Sequence, residues 1–202
     1  APVLRGAPPR GPDRPPGRRG FGVIRRVVTL GGPPGSGKST AGRLVAAALG
    51  LELTSAGEEF RAEARRRGMT LEAFGRFAEA HEEVDRSLDR AMLERARPGR
   101  ILEGRIQGPL CRRAGIPVHA VVVTASEAER ARRVAGRDGQ PPEEALRRIR
   151  EREASERTRY LAIYGIDLDR AEADLTVDST AQRPEAVAEA IVGFLTAREA
   201  EA

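Results

Sequence analysis

A glycine-rich segment between a predicted strand and a predicted helix limits the possible folds of this chain more than any other feature. The strand is the β-branched and apolar run Val27–Leu30, and Ser39–Leu49 has the apolar spacing of a helix. Positions 32–39 read Gly-Pro-Pro-Gly-Ser-Gly-Lys-Ser, which fits the pattern G-x-x-x-x-G-K-[ST]. Such glycines let successive backbone N–H groups and the helix N-terminus face one phosphate group.

This loop predicts a site for ATP and magnesium. Lys38 would bridge the β- and γ-phosphates, Ser39 would bind Mg²⁺, and Thr40 would reach the α-phosphate. Lys38 is the one lysine among 35 basic residues, which indicates that its position needs a compact ammonium group. The predicted ATP-binding residues are Gly32, Pro33, Pro34, Gly35, Ser36, Gly37, Lys38, Ser39 and Thr40.

Strands alternate with helices along the rest of the chain. Further strands are expected at Leu51–Thr54, Arg100–Leu102, Val118–Val123 and Asp174–Val177. Further helices are expected at Glu58–Arg97 with breaks at Gly68 and near 80–82, Ser126 to about Arg137, about Pro142–Tyr164, and Pro184–Arg198. This alternation predicts an α/β fold with a parallel sheet covered on both faces.

The first 22 residues differ in composition from the remainder. Six prolines and five glycines lie among arginines without any strand or helix period, so we expect a disordered extension before a single folded domain at 23–202. Residues 1–26 carry a net charge of +6, which leaves −1 for 27–202. The folded domain is therefore not expected to bind nucleic acid, whereas the basic extension is either without a role or a tether to nucleic acid or an acidic partner.

Composition also argues against several classes of protein. No apolar run approaches the roughly 18 residues of a membrane span. The single cysteine, Cys111, cannot form an internal disulfide, and the two histidines, His81 and His119, are too far apart in sequence to suggest a zinc site. We expect a cytoplasmic monomer without membrane contact.

Three short segments outside the loop carry a resemblance to a known family. They are Leu-Thr-Ser-Ala-Gly-Glu-Glu-Phe-Arg at 53–61, Leu-Glu-Gly-Arg at 102–105 and Tyr-Gly-Ile-Asp at 164–167. With the loop, they resemble the short, archaeal-type cytidylate kinases, P-loop nucleoside monophosphate kinases, over roughly residues 27–180. The resemblance implies a three-layer P-loop NTPase fold with a five-stranded parallel sheet in the order 2-3-1-4-5, in a kinase domain at 23–202. It also implies transfer of the ATP γ-phosphate to CMP and to dCMP, with an acceptor-binding segment at about 55–97 and a lid at about 130–160.

The resemblance also implies roles for individual residues. Arg61 and Arg105 would hold the acceptor phosphate, which two guanidinium forks can do well. Glu103 would order the water around Mg²⁺, accept the cytosine amino group, or orient Arg105 by ion pairing. Arg152, Glu156 and Arg159 match the family's trio of arginine, acid and arginine. The two arginines would act on the transferred phosphoryl group, and Glu156 would bind the acceptor.

The predicted lid helix carries further arginines. Arg130, Arg133 and Arg137 are three and four residues apart and share one helical face, and we expect Arg133 and Arg137 to contact the transferred phosphoryl group on closure. A solvated face of a charged helix is the alternative.

Recognition of cytosine requires an acid and one or two donors. The candidates in this sequence are Ser55, Asp85, Arg86 and Asp89. Asp85 and Asp89 are four residues apart and therefore share a helical face, although ordinary helix surface gives the same spacing. Gln107 and Pro109 stand near the base site where small or aromatic residues are expected.

Two other functions remain open at this point. The chain could phosphorylate another small acceptor, such as AMP, UMP or shikimate. It could instead be a P-loop ATPase in RNA or ribosome assembly, which would release ADP slowly without any acceptor. A guanine-reading Asn-Lys-x-Asp sequence is absent, which argues against a GTPase.

Overall fold

Five strands form one sheet in a computed structural model of the chain, which describes residues 24–201. The strands are β1 (Val27–Gly31), β2 (Glu52–Ser55), β3 (Arg100–Glu103), β4 (Val118–Thr124) and β5 (Leu175–Asp178). Their order across the sheet is β2-β3-β1-β4-β5, and every adjacent pair is parallel. The predicted fold class and strand order are confirmed, with β2 and β5 each shifted by one residue from the predicted bounds.

Eight helices connect and cover these strands within the described range. They are α1 (Lys38–Leu49), α2 (Ala56–Arg66), α3 (Leu71–Ala80), α4 (Glu82–Glu94), α5 (Gln107–Arg113), α6 (Glu127–Asp138), α7 (Pro142–Tyr164) and α8 (Pro184–Ala200). The long helical region predicted after β2 is three helices, which separate at Gly68 and His81 as expected. Across residues 24–201, none of these helices is long and apolar enough to span a membrane.

Helix α5 was missed by the sequence analysis, because Gly108 and Pro109 suggest a turn. Pro109 lies in the first turn of the helix, where a missing N–H costs no intrahelical hydrogen bond. A Cβ at Gly108 would lie 3.1 Å from Thr29 Oγ1. Glycine there lets α5 lie directly against the sheet.

Apolar residues cover both faces of the sheet. On one face α1 and α8 pack against the strands, and Val45, Ile191 and Leu195 are fully buried there. On the other face Met92 of α4 and Cys111 of α5 pack against the strands. Because both faces are covered, the central strands are almost continuously apolar, as the sequence pattern indicated.

The carboxyl ends of the central strands meet at one edge of the sheet. Glu103, the last residue of β3, pairs in register with Leu30 of β1 and with Ser55 of β2. Open parallel sheets bind ligands outside this edge, where the glycine-rich loop follows β1. The predicted segment 1–22 lies outside the described residues.

Candidate functional site

The glycine-rich loop has a conformation that only glycine permits at three positions. Gly32, Gly35 and Gly37 have φ values of 136°, 81° and 86°. A Cβ at Gly32 would lie 2.1 Å from the carbonyl oxygen of Val123 in β4. Gly37 precedes α1 without any side-chain cap, so the first N–H groups of that helix are available to an anion.

Lys38 lies in the first turn of α1 and faces a carboxylate. Its Nζ is 3.6 Å from Glu103 Oε1 and donates a hydrogen bond to Pro33 O at 3.4 Å. Only 13% of the Lys38 side chain is exposed. Burial lowers the pKa of Lys38 to about 8, and the nearby charge of Glu103 opposes that shift. A bound polyphosphate would supply the negative charge that the buried ammonium group lacks.

The residues beside Lys38 fit a magnesium ion bound together with a nucleotide. Glu103 Oε2 is buried without a hydrogen-bond partner among the described residues, and Ser39 follows Lys38 on α1. A hydroxyl and a carboxylate are oxygen ligands of the kind that Mg²⁺ prefers. Residues 24–201 contain no cluster of three metal-ligating side chains, so further ligands would come from phosphate and water.

Arginines from α2, from α7 and from the segment after β3 lie close enough to Lys38 or to one another for their charges to interact. Glu156 of α7 is buried between Arg105 and Arg152. Its Oε2 is 2.7 Å from Arg105 Nε, and its Oε1 is 2.7 Å from Arg152 Nε. Burial raises the pKa of Glu156, but the charges of Arg152 and Arg105 outweigh it and hold the pKa below the usual value. The carboxylate therefore stays ionised and fixes both guanidinium groups.

Arg61 is the free cation of this cluster. It has no ion pair or side-chain hydrogen bond to any residue between 24 and 201, and its pKa is lowered by burial and by the charge of Arg152. The cluster comprises Lys38, Arg61, Arg105, Arg152, Glu103 and Glu156. Four cations against two carboxylates leave a net charge of +2, which suits the binding of phosphate groups.

The lid arginines are not equivalent. The Arg137 side chain is 67% exposed and pairs with Asp138, and the charge of Arg152 in the cluster acts on it. Arg133 and Arg130 point instead toward the backbone of the glycine-rich loop. The predicted shared face of α6 is present, but its members contact different parts of the site.

A second polar cluster lies beside the arginines and is buried. Arg159 Nη1 donates to both oxygens of Asp85, at 3.0 and 2.9 Å. Asp89 accepts hydrogen bonds from Gln107 Nε2 at 3.2 Å and from the Tyr164 hydroxyl at 2.9 Å. Burial raises the pKa of Asp85, and it raises that of Asp89 to about 7.

Arg159 is therefore placed with the second cluster and not with the loop. Its guanidinium carbon is 5.4 Å from the ring centre of Phe60 and 5.7 Å from that of Tyr160. Ser55 is buried and caps α2 by accepting from Glu58 N at 3.2 Å. Arg86 is exposed, stacks on the Tyr164 ring and pairs with Glu82, so it does not join Asp85 and Asp89.

Three contacts in the site were missed by the sequence analysis. Gln107 and Tyr164 hold Asp89, and Ser179 donates a hydrogen bond to Ser36 O of the loop at 2.8 Å. The sequence did mark Gln107 as unusual, because a small or aromatic residue is expected at this position near Arg105. Ser179 follows β5, whose carboxyl end lies at the same edge of the sheet as the loop.

Comparisons with known proteins identify the family. A family model described as an AAA domain matches residues 28–173. Cytidylate kinase of Pyrobaculum arsenaticum is 44% identical over 158 residues, which cover 76% of this chain and 84% of the relative. Cytidylate kinase of Pyrococcus horikoshii is 40% identical over 163 residues, which cover 80% of this chain and 83% of the relative.

A solved structure agrees with the fold. Shikimate kinase from Acinetobacter baumannii in complex with shikimate is similar with a TM-score of 0.57 and 22% identity, covering 90% of this chain and 98% of that one. At that identity the likeness shows the fold alone. The sequence relatives decide the family, and this chain belongs to the cytidylate kinases.

Proposed function

We propose that this chain transfers the γ-phosphate of ATP to CMP and forms ADP and CDP. The observation that carries the proposal is the proximity of Lys38 and Glu103 to the arginine cluster of Arg105, Arg152 and Glu156, whose charges act on Lys38. Phosphoryl transfer needs this combination, because two anionic phosphates must be brought together. The cytidylate kinases at 40–44% identity support CMP as the acceptor.

In this proposal each phosphate has its own cations. The loop N–H groups and Lys38 bind the β- and γ-phosphates, while Arg61 and Arg105 bind the phosphate of CMP. An oxygen of that phosphate attacks the γ-phosphorus, the bond to the β–γ bridging oxygen breaks, and ADP leaves with the electron pair. A phosphate oxygen is already nucleophilic, so the step needs no general base.

Magnesium would be held by Ser39 and, through water, by Glu103. When bound with ATP, it would neutralise charge on the phosphate oxygens. Arg152 and Arg137 would add positive charge around the transferred group as the lid segment closes. Closure would also exclude water and so limit hydrolysis of ATP.

The buried cluster of Asp85, Asp89, Gln107 and Arg159 is proposed to read the base. Cytosine carries an amino group where uracil carries a carbonyl oxygen. A carboxylate accepts from the amino group, whereas it would face the uracil oxygen without a hydrogen bond, at a cost of about 1–3 kcal/mol. The cluster has two carboxyl groups, which accept hydrogen bonds, and only one guanidinium group, which donates them. We therefore expect it to favour CMP over UMP.

Two parts of the proposal rest on the sequence alone. Use of dCMP in addition to CMP follows from the family resemblance. The monomeric state of the domain, and the basic segment at 1–22 as an extension of it, are likewise proposals from the sequence.

An acceptor screen tests the proposal. ATP and Mg²⁺ are supplied with CMP, dCMP, UMP, AMP or shikimate, and the phosphorylated products are measured by chromatography. We expect CDP to form with a kcat/KM at least about tenfold above that for AMP or shikimate. A higher kcat/KM for AMP, or slow ADP release that no acceptor stimulates, would contradict the cytidylate assignment.

A further inference from the structure

Two arginines of α6 contact the glycine-rich loop in a way that the proposed reaction does not explain. Arg130 Nη1 donates to the carbonyl oxygen of Pro34 at 3.2 Å. Arg133 Nη1 donates to the carbonyl oxygen of Ser36 at 3.3 Å. The arginines are three residues apart on one helix, and the carbonyl groups belong to alternate residues of the loop.

The direction of the peptide groups gives these contacts a consequence. The described chain has no cis peptide bonds, so the C=O and N–H of each peptide group point in opposite directions. The Pro34 carbonyl shares its peptide group with Gly35 N–H, and the Ser36 carbonyl shares its group with Gly37 N–H. A carbonyl held toward α6 therefore turns the N–H of the following glycine away from α6, as a phosphate-binding loop requires.

Both arginines are held in place by other residues. Arg130 is buried and pairs with Glu153 of α7 at 2.6 Å. Arg133 donates to Glu129 at 2.7 Å, and also to the hydroxyl and carbonyl oxygens of Ser179 at 2.9 and 2.7 Å. The Ser179 hydroxyl lies 2.8 Å from the carbonyl oxygen of Ser36 and 2.9 Å from that of Thr124. The carbonyl oxygen of Ser36 thus accepts from Arg133 and shares the single Ser179 hydroxyl proton with Thr124.

Loop and helix also touch through their backbones. A Cβ at Gly35 would lie 2.9 Å from the carbonyl oxygen of Arg130. The loop therefore approaches α6 as closely as glycine permits. A charged donor on each carbonyl also polarises the peptide group and strengthens its N–H as a donor.

We propose that Arg130 and Arg133 are positioning residues that aim the N–H groups of Gly35 and Gly37 at the phosphates of ATP. This role differs from the contact with the transferred phosphoryl group that the sequence predicts for Arg133. The inference rests on the proposed function only in taking ATP as the ligand.

Direct measurement of nucleotide binding tests the inference. Isothermal titration with ATP and with ADP, without CMP, compares wild type with Arg133→Gln. The matched control is Arg132→Gln, because Arg132 is the neighbouring residue, pairs with the same Glu129 and is 72% exposed. We expect Arg133→Gln to raise the Kd of both nucleotides about tenfold, the scale of one charged hydrogen bond, and Arg132→Gln to change them less than about twofold.

Steady-state kinetics separate positioning from direct contact. If Arg133 aims the loop, the variant has a raised KM for ATP, an unchanged KM for CMP and a kcat within about threefold of wild type. A large loss of kcat with an unchanged Kd for ATP would overturn the inference and favour contact with the transferred group. An unchanged Kd in Arg133→Gln, or an equal change in the Arg132 control, would also overturn it.

A second variant acts on the same carbonyl without removing a charge. Substitution of Arg130 is a less suitable test than substitution of Ser179, because loss of Arg130 leaves Glu153 buried without its ion-pair partner. Ser179→Ala removes the hydroxyl that donates to Ser36 O and also accepts from Arg133, and we expect the Kd of ATP to rise about threefold. An unchanged Kd would count against the inference. The binding assay contains no CMP, so failure of CMP as a substrate would contradict the proposed function and leave this result standing.

Discussion

At the scale of single residues, Lys38 is the most unusual group in the site. It is the one lysine of the sequence, it is largely buried, and burial lowers its pKa to about 8. Above that pH the nucleotide-free protein loses the charge that the phosphates need. ATP binding is thus coupled to the proton on this amine.

The first prediction follows from the sign of this shift. If ATP binds only when Lys38 is charged, its Kd is constant below pH 8 and rises above it, approaching about tenfold per pH unit. Isothermal titration between pH 6.5 and 9.5 measures this, and the CMP titration should not share the midpoint. A Kd for ATP that stays constant up to pH 9.5 would contradict the low pKa.

The same amine provides an independent measurement. An amine-reactive reagent has two targets in this chain, Lys38 and the chain terminus, so mass spectrometry can follow each separately. The pH profile of Lys38 labelling should have a midpoint near 8, and saturating ATP with Mg²⁺ should suppress that labelling while the terminus still reacts. Equal labelling of Lys38 with and without ATP would remove it from the phosphate site.

The second prediction concerns Arg105. Its replacement by alanine leaves Glu156 paired with Arg152, so the fold should survive while the CMP phosphate loses a charged contact. We expect kcat/KM for CMP to fall by a factor that corresponds to a loss of at least about 2–3 kcal/mol of transition-state stabilisation. The Kd of ATP should change little. Arg95→Ala serves as the control, because Arg95 pairs with Glu59 away from the cluster. Normal CMP kinetics in a folded Arg105→Ala variant would exclude Arg105 from the acceptor site.

At the scale of elements, the sequence predicts most of the structure because each pattern is local. Ser126 begins α6 by capping Glu129 N, and Gly165 ends α7 with a φ of 59°. Helix α5 could not be predicted in this way. Its glycine is explained by the approach to Thr29, a residue almost eighty positions earlier, and no local pattern records that contact.

The third prediction tests this close approach. Gly108→Val would place side-chain atoms against Thr29 and Ala120, where a single Cβ already lies 3.1 and 3.4 Å from them. Overpacking of this kind costs about 1–3 kcal/mol, so we expect a lower free energy of unfolding in urea. The control is Gly193→Ala in α8, where a Cβ meets nothing within 4 Å and the helix should gain about 0.5–1 kcal/mol. An unchanged stability of Gly108→Val would mean that α5 is free to move away from the sheet.

At the scale of the whole molecule, the family resemblance predicts the strand order, but nothing in the sequence predicts the pairing of side chains. Spacing alone places Asp85 and Asp89 on one face of a helix, and both are buried as that spacing allows. The spacing cannot show that Asp85 pairs with Arg159, 74 residues away, or that Arg133 donates a hydrogen bond to Ser179, 46 residues away. These partners depend on how α4, α6 and α7 lie over the sheet.

The last prediction concerns the uneven charge of the chain. Residues 1–26 carry a net charge of +6, whereas 27–202 carry −1. The fold already includes Ile24, which is buried, and Arg25, whose backbone N–H donates to Glu199 of α8 at 3.0 Å. A truncation should therefore remove residues 1–22 and keep these contacts.

We expect the truncated protein to keep its melting temperature and its kcat/KM for CMP, since residues 1–22 are mostly proline, glycine and arginine and have little apolar surface to contribute. Five of the seven arginines at 1–26 are lost with the segment, so salt-sensitive retention on heparin or RNA should disappear. Circular dichroism, the CMP assay and heparin chromatography at rising salt measure the three properties on matched preparations. A truncated chain that fails to fold would show that the segment is structural. Undiminished retention on heparin would instead place a basic surface on the domain itself, despite its net charge of −1.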